Sequence, residues 1–171
     1  TAPRTLPGWC RPAPKKGPDP PIEAFHEVAA AGTHGDWKLI IAGDGDAGYA
    51  SKLKEAADRG AAKSRIVFEG WVGGDARLSL LRHASLFALP SLQENFGVAV
   101  VEALACGVPV IVSPAVNLAS DIEKHQAGWI VPRERAALAE ALGRVMTDRA
   151  ALAERRSHAR AFAGRFRWSA V

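Results

Sequence analysis

The chain has 171 residues, 48% of them hydrophobic and 23% charged, which suffices for one packed domain and is too short for two ordinary ones. No apolar run approaches the ~20 residues that span a bilayer, and Pro3, Pro7, Pro12 and Pro14 interrupt the start where a secretory signal would carry its apolar stretch. Cys10 and Cys106 are the only cysteines; they lack metal-ligand spacing and point to a reducing compartment, so the cytoplasm is the expected location. The net charge of +4 gathers at one end, with nine arginines from Arg133 to Arg167. Such a run reads first as a solvated helix face. Its alternative use is peripheral contact with anionic lipid at the inner face of a membrane. Nucleic acid is disfavoured, because no aromatic platform accompanies the arginines.

Residues 1–21 hold seven of the eleven prolines and read as an irregular start, poor at strand pairing. From Ile22 onward a single domain is expected, through residue 171. Ile22, Phe25, Val28 and Ala29 recur at helical spacing, with Pro20 or Pro21 placed for the first turn. Trp37–Ala42 reads as a buried strand feeding the tight turn Gly43-Asp44-Gly45. A helix over 49–59 follows, with Leu53, Ala56 and Ala57 inward, and then a strand over Arg65–Phe68 closed by Gly70. Asp75 is expected to cap a helix through Leu78, Leu81 and Ala84. Leu86–Leu89 is a third strand, stopped by Pro90. A helix from about Gly97 to Ala105, a strand over Pro109–Val112, a strand over Gly128–Val131 and a helical remainder complete the chain. Short apolar strands alternating with helices imply an α/β fold, a Rossmann-like open parallel sheet with helices on both faces. Ligands of such sheets bind outside the carboxyl ends of the strands.

One such end stands out. After Leu89-Pro90 the chain reads Ser91-Leu92-Gln93-Glu94-Asn95-Phe96-Gly97 and then enters an almost wholly apolar helix. First-turn amides of that helix lack intrahelical acceptors, so they can receive a phosphate, aided by the helix dipole. Glu102 sits among Val98, Ala99, Val100, Val101, Ala103, Leu104 and Ala105. A carboxylate there needs partners: either a structural ion pair or capping contact, or the vicinal hydroxyls of a ribose. Glu94 reads equally well as an exposed loop residue or as a ligand group. His83 and His125 read as surface histidines, and Trp71 and Trp129 as packing residues.

Taken together, Pro90-Ser91, Glu94 and Glu102 eight positions apart with Phe96-Gly97 between them, and Ala105-Cys106-Gly107-Val108-Pro109-Val110 resemble the family 4 GT-B glycosyltransferases. The resemblance extends along the chain. Pro14-Lys15-Lys16-Gly17 with Ile22–Phe25 is similar to the family's phosphate-binding turn and helix, Leu39–Gly45 to its strand and glycine turn, Phe68–Val72 to its base-contacting loop, and Arg167-Trp168 to its closing crossover helix. It implies the C-terminal, donor-binding half of a retaining, metal-independent enzyme. The substrate would be a nucleoside-diphosphate sugar, with no cofactor and no metal. Glu94 would hold hydroxyls of the transferred sugar and Glu102 the ribose hydroxyls. Asn95, Phe96, Gly97 and Val98 would belong to the donor site, the last three through main-chain amides. Gly70 and Val72 would face the base. Arg11 and Lys16 would neutralise the departing diphosphate.

Two departures accompany the resemblance. The stretch Thr5–Pro12 is a poor strand where the family has an apolar one, and Pro18, Pro20 and Pro21 stand where leucines are usual. The partner N-terminal domain, which carries the acceptor site and the usual catalytic histidine, is expected to be absent, leaving a fragment that binds donor weakly and transfers nothing. Acceptors of the whole enzyme would be glycans or lipid-linked glycans. A sugar-nucleotide epimerase and a non-catalytic interaction module are the competing readings. A dinucleotide oxidoreductase is disfavoured, since Gly43-Asp44-Gly45 continues with Asp46-Ala47-Gly48 rather than the full glycine spacing.

Overall fold

The computed structural model describes residues 4–9, 19–32 and 34–166. Six parallel strands form one sheet in the order β3-β2-β1-β4-β5-β6. They are β1 (Arg4–Trp9), β2 (Trp37–Ala42), β3 (Ile66–Gly70), β4 (Phe87–Leu89), β5 (Val110–Val112) and β6 (Gly128–Ile130). The helices are α1 (Asp19–Ala30), α2 (Ala47–Asp58), α3 (Gly74–Arg82), α4 (Val98–Ala105), α5 (Ala119–Lys124), α6 (Arg135–Thr147) and α7 (Arg149–Ala163). Strand order reverses between β1 and β4, which places the topological switch point of this doubly wound sheet between those two strands.

Alternation along the short strands divides the core between two faces. Leu39, Ile41, Ala88 and Ile111 pack with Ile22, Phe25 and Leu53 and with Leu138, Leu142 and Met146 of α6. Phe87, Leu89, Val110 and Val112 point the other way, against Leu81, Val100, Leu104, Ile122 and Phe162. Successive side chains of a strand leave on opposite sides, so even three-residue strands serve both faces.

The proline-rich start is not irregular over residues 4–9. They form β1, paired along its length with β2 (Leu6 opposite Leu39, Pro7 opposite Ile40) and with β4 at Gly8 and Ala88. The Ser85 amide donates to the Thr5 carbonyl at 2.9 Å, so odd-numbered residues of β1 turn their backbone polar groups toward β4. Pro7 therefore lacks its N–H on the short β4 side, where little ladder is lost, and leaves the bonds to β2 intact. Helix α1 begins at Asp19, with Pro20 and Pro21 in its first turn.

Other differences are local. Gly73, not Asp75, is the N-cap of α3, and Asp75 lies in the first turn. Asp46 caps α2 by accepting from the Tyr49 amide at 2.8 Å. α5, six residues long, lies between β5 and β6 where no helix is expected. The C-terminal arginines are not simply a solvated face. Arg133 donates to the Pro90 carbonyl at 2.7 Å, Arg155 to that of Gly128 at 2.6 Å and Arg156 to that of Ala84 at 3.1 Å. Arg155 also lies over the Trp129 ring, 4.6 Å from its centroid, and burial pushes its guanidinium pKa below the ordinary value. No helix among the described residues is long and apolar enough to cross a membrane.

Candidate functional site

The loop from Pro90 to Gly97 joins the carboxyl end of β4 to α4, beside the switch point. It is pinned from three directions. The Glu94 amide donates to the Ala115 carbonyl at 3.2 Å and the Asn117 amide to the Glu94 carbonyl at 3.0 Å, an isolated bridge in parallel sense centred on Glu94 and Val116. Fully buried Ser113 donates its hydroxyl to the Ser91 carbonyl. The third support is the Arg133 guanidinium on Pro90. Ser113, the 115–117 turn and Arg133 thus shape the loop, although the resemblance assigns them no role. Only the seryl ends of the segment hint at this in the sequence.

Gly97 turns the loop into the helix. It adopts φ 66° and ψ 54°, the left-handed conformation, and no side chain caps α4. A Cβ there would lie 3.4 Å from Cγ of Glu94 and 3.3 Å from Cγ2 of Val100. Glycine is needed for the conformation, and the side chains of Glu94 and Val100 close in on the space a Cβ would take. The structure therefore brings Glu94, Phe96, Gly97 and Val98 to one place. Asn95, Phe96 and Val98 are exposed, Phe96 at 51% and Val98 at 60%, while Gly97 is buried.

Glu102 has a protein partner. Its carboxylate forms an ion pair with the Arg77 guanidinium on the first turn of α3, and both side chains remain partly accessible, at 21% and 36%. Nε of Arg77 is buried with no hydrogen-bond acceptor. Of the two sequence-level explanations for Glu102, the structural ion pair is realised, and one carboxylate oxygen is engaged in it. Arg77 was not legible as a site residue, because its partner lies 25 positions away. At the end of Glu102's helix, Cys106 has its thiol pKa raised by burial; Arg82 and Arg160 oppose the shift and Glu102 adds to it.

Gly70 ends β3 in the left-handed region at φ 65°, and its carbonyl accepts from the Gly43 amide at 2.6 Å. This ties the glycine turn after β2 to the loop that carries Val72. Trp71 is not a packing residue: it is 75% exposed, with its ring over Gly73, where a Cβ would meet the indole at 2.4 Å. Trp129 does pack against the core. Arg11 and Lys16 lie outside the described residues. A cavity of about 530 Å³ opens between β6, α6 and α7, lined by Trp129, Asp148 and Arg155 among others. None of the described residues among the predicted site residues lines it.

An open parallel sheet whose order reverses between β1 and β4, with a glycine-capped helix start and Glu94 just beyond the carboxyl end of β4, is a doubly wound α/β domain. Residues 8–148 match the family described as Glycosyl transferases group 1. The chain belongs to that family, on the GT-B fold. It is 32% identical over 163 residues to the D-inositol 3-phosphate glycosyltransferase of Acidothermus cellulolyticus, covering 91% of this chain and 36% of that one. It is also 34% identical over 113 residues to an uncharacterized glycosyltransferase of Methanocaldococcus jannaschii, covering 65% of this chain and 28% of the relative. Among solved structures, Anabaena HepE in complex with UDP and glucose superposes with a TM-score of 0.83 at 25% identity, covering 96% of this chain and 44% of that one. The C-terminal domain of the group 1 family protein LpcC from Francisella tularensis shares the fold, with a TM-score of 0.83 at 19% identity, covering 95% and 85% of the two chains. The chain thus spans about a third of the length of these curated relatives.

Proposed function

We propose that this chain is the donor-binding domain of a retaining, metal-independent glycosyltransferase that takes a sugar from a nucleoside diphosphate and transfers it to a glycan or lipid-linked glycan. The observation that carries the reading is the convergence of Glu94 on the left-handed Gly97 that opens α4. It sets a hydroxyl-binding carboxylate beside backbone donors suited to a phosphate. Glu94 holds the transferred sugar. Gly97 and Val98 offer amides to the distal phosphate, and Glu102 takes the ribose hydroxyls on the oxygen that Arg77 leaves free. Gly70 and Val72 flank the base, on the loop that Gly43 secures.

Loss of a nucleoside diphosphate concentrates negative charge on the leaving phosphate. Fixed cations stabilise that charge without a metal, and Arg11 and Lys16 are assigned this role. A site closed by a second domain is open in one half alone, in keeping with the exposed loops at the carboxyl ends. The acceptor and the rest of the catalytic groups belong to that second domain. HepE, a relative at 25% identity, has been solved with UDP and glucose, which supports a nucleotide-sugar donor.

Calorimetric titration of wild type and Glu102→Ala with a panel of nucleoside-diphosphate sugars tests the reading, with Arg77→Ala as a control for the ion pair. At least about tenfold weaker binding by Glu102→Ala is expected, the loss of a charged hydrogen-bond acceptor. Equal binding by both proteins refutes the ribose assignment.

A further inference from the structure

The last described turn of the chain reaches back to the loop assigned to the donor. α7 packs along α4, and the 3-10 turn Gly164–Phe166 that follows lies against the same side of the core. Three aromatic contacts link it to the loop. Phe162 stacks on His125 with ring centroids 4.8 Å apart. Phe166 meets Phe162 edge-on at 5.3 Å and an interplanar angle of 89°. On its other side Phe166 meets Phe96 edge-on at 6.1 Å and 86°.

The far end of this series is itself held. His125 donates from Nδ1 to the Asp121 carbonyl at 2.8 Å and accepts at Nε2 from Arg165, one residue before Phe166. Both ring nitrogens are engaged, which fixes the plane on which Phe162 stacks.

Phe96 is half exposed, and Gly97 after it carries no side chain to hold the backbone in its left-handed conformation. Hydrogen bonds pin the loop at Pro90, Ser91 and Glu94, upstream of Phe96, and the Gly97 carbonyl accepts from the Val100 and Val101 amides of α4 at 2.8 and 3.1 Å. The edge-to-face contact with Phe166 adds a side-chain restraint at Phe96 itself, next to the amides that would face the phosphate.

We infer that Phe166 is a positioning residue for the donor. It braces Phe96 and thereby holds the Gly97 and Val98 amides in register for a nucleoside diphosphate. This inference rests on the donor-site reading above. It ties the affinity of the site to the C-terminal turn, so a displacement of that turn loosens the donor loop.

Phe166→Ala, Phe166→Leu and Phe166→Tyr are compared with wild type by two measurements. One is amide hydrogen exchange over residues 94–100 in the free protein; the other is calorimetric titration with UDP and with GDP. Phe166→Ala is expected to speed exchange at Gly97 and Val98 and to weaken binding of the preferred nucleotide about fivefold, the scale of one aromatic pair. Phe166→Tyr keeps the ring edge and restores both. Phe166→Leu keeps apolar volume without the ring edge, covers the case in which the alanine variant unfolds, and is expected to lose about threefold. Unchanged exchange at Gly97 and Val98 overturns the proposal. So does a lower melting temperature with nucleotide affinity within twofold of wild type. If wild type binds neither nucleotide while exchange still responds to Phe166, the donor assignment fails and the brace is supported.

Discussion

Arg77 on the first turn of α3 and Glu102 in the middle of α4 form an ion pair that joins two segments assigned to the donor, the base-side loop and the ribose-side helix. Both side chains are partly accessible, so screening limits the energy of the pair. A double-mutant cycle with Arg77→Ala and Glu102→Ala, read by urea denaturation, is expected to give a coupling of about 0.5–1 kcal/mol that shrinks in high salt. A coupling indistinguishable from zero would show that the pair does not hold the two segments together.

Two glycines make opposite predictions. Gly128 lies opposite Val110 in the β5–β6 ladder, and a Cβ on it would sit 2.2 Å from the Val110 carbonyl oxygen. Backbone cannot yield as a side-chain tip can, so Gly128→Ala is expected to destabilise by about 3 kcal/mol or more. Gly143, inside α6, has nothing within 4 Å of the same position. Gly143→Ala should stabilise by about 0.5–1 kcal/mol, the ordinary helix preference for alanine. Denaturation midpoints of the two variants on opposite sides of wild type are the expected outcome.

Arg155 and Arg149 separate structural from solvated arginines within α7. Arg155→Ala removes both the stack on Trp129 and the bond to the Gly128 carbonyl, and a loss of about 1–2 kcal/mol is expected. Exposed Arg149 at the helix start should tolerate alanine within about 0.5 kcal/mol. Equal effects in thermal melts would contradict the anchoring role of Arg155.

How much of this was legible in the sequence depended on distance along the chain. Trp37–Ala42 announced β2 because a short apolar run, broken only by Lys38 and ending in a glycine turn, has few other uses. The loop from Ser91 to Gly97 and the helix after it were legible for the same reason, since the signal was contiguous. β1 was not, because the cost of Pro7 depends on which neighbour its missing N–H would face, and that follows from strand order. The anchoring roles of Arg133, Arg155 and Arg156 were hidden for a similar reason. A guanidinium reaching a carbonyl 27 to 72 positions away looks like surface charge until the chain is folded. Trp71 misled in the other direction, as an indole usually packs, yet the left-handed Gly70 before it turns the chain outward. α5 is too short for helical periodicity to register.

Cys106 offers a pH test. Burial raises its thiol pKa above 9.0, the ordinary value, so the folded protein holds this proton more tightly than the unfolded chain. The resulting contribution to stability is complete below the unfolded pKa and is lost as pH rises through the folded value. In a Cys10→Ser background, alkylation by iodoacetamide should be slow at pH 7–8 and accelerate only above pH 9, with stability declining over the same alkaline range. Rapid alkylation at pH 7 would contradict the raised thiol pKa of this partly buried cysteine.

The central claim, that the start of α4 is half of a nucleotide-sugar site, is tested most directly by amide chemical-shift mapping. The isotopically labelled chain is titrated with UDP-glucose and with a guanosine diphosphate sugar. The account predicts saturable shifts at Phe96, Gly97, Val98 and Ala99, joined by Gly70 and Val72, with the cavity between β6, α6 and α7 undisturbed. Shifts confined to Trp129 and Arg155 in that cavity, or no saturable shifts with any donor, would contradict it.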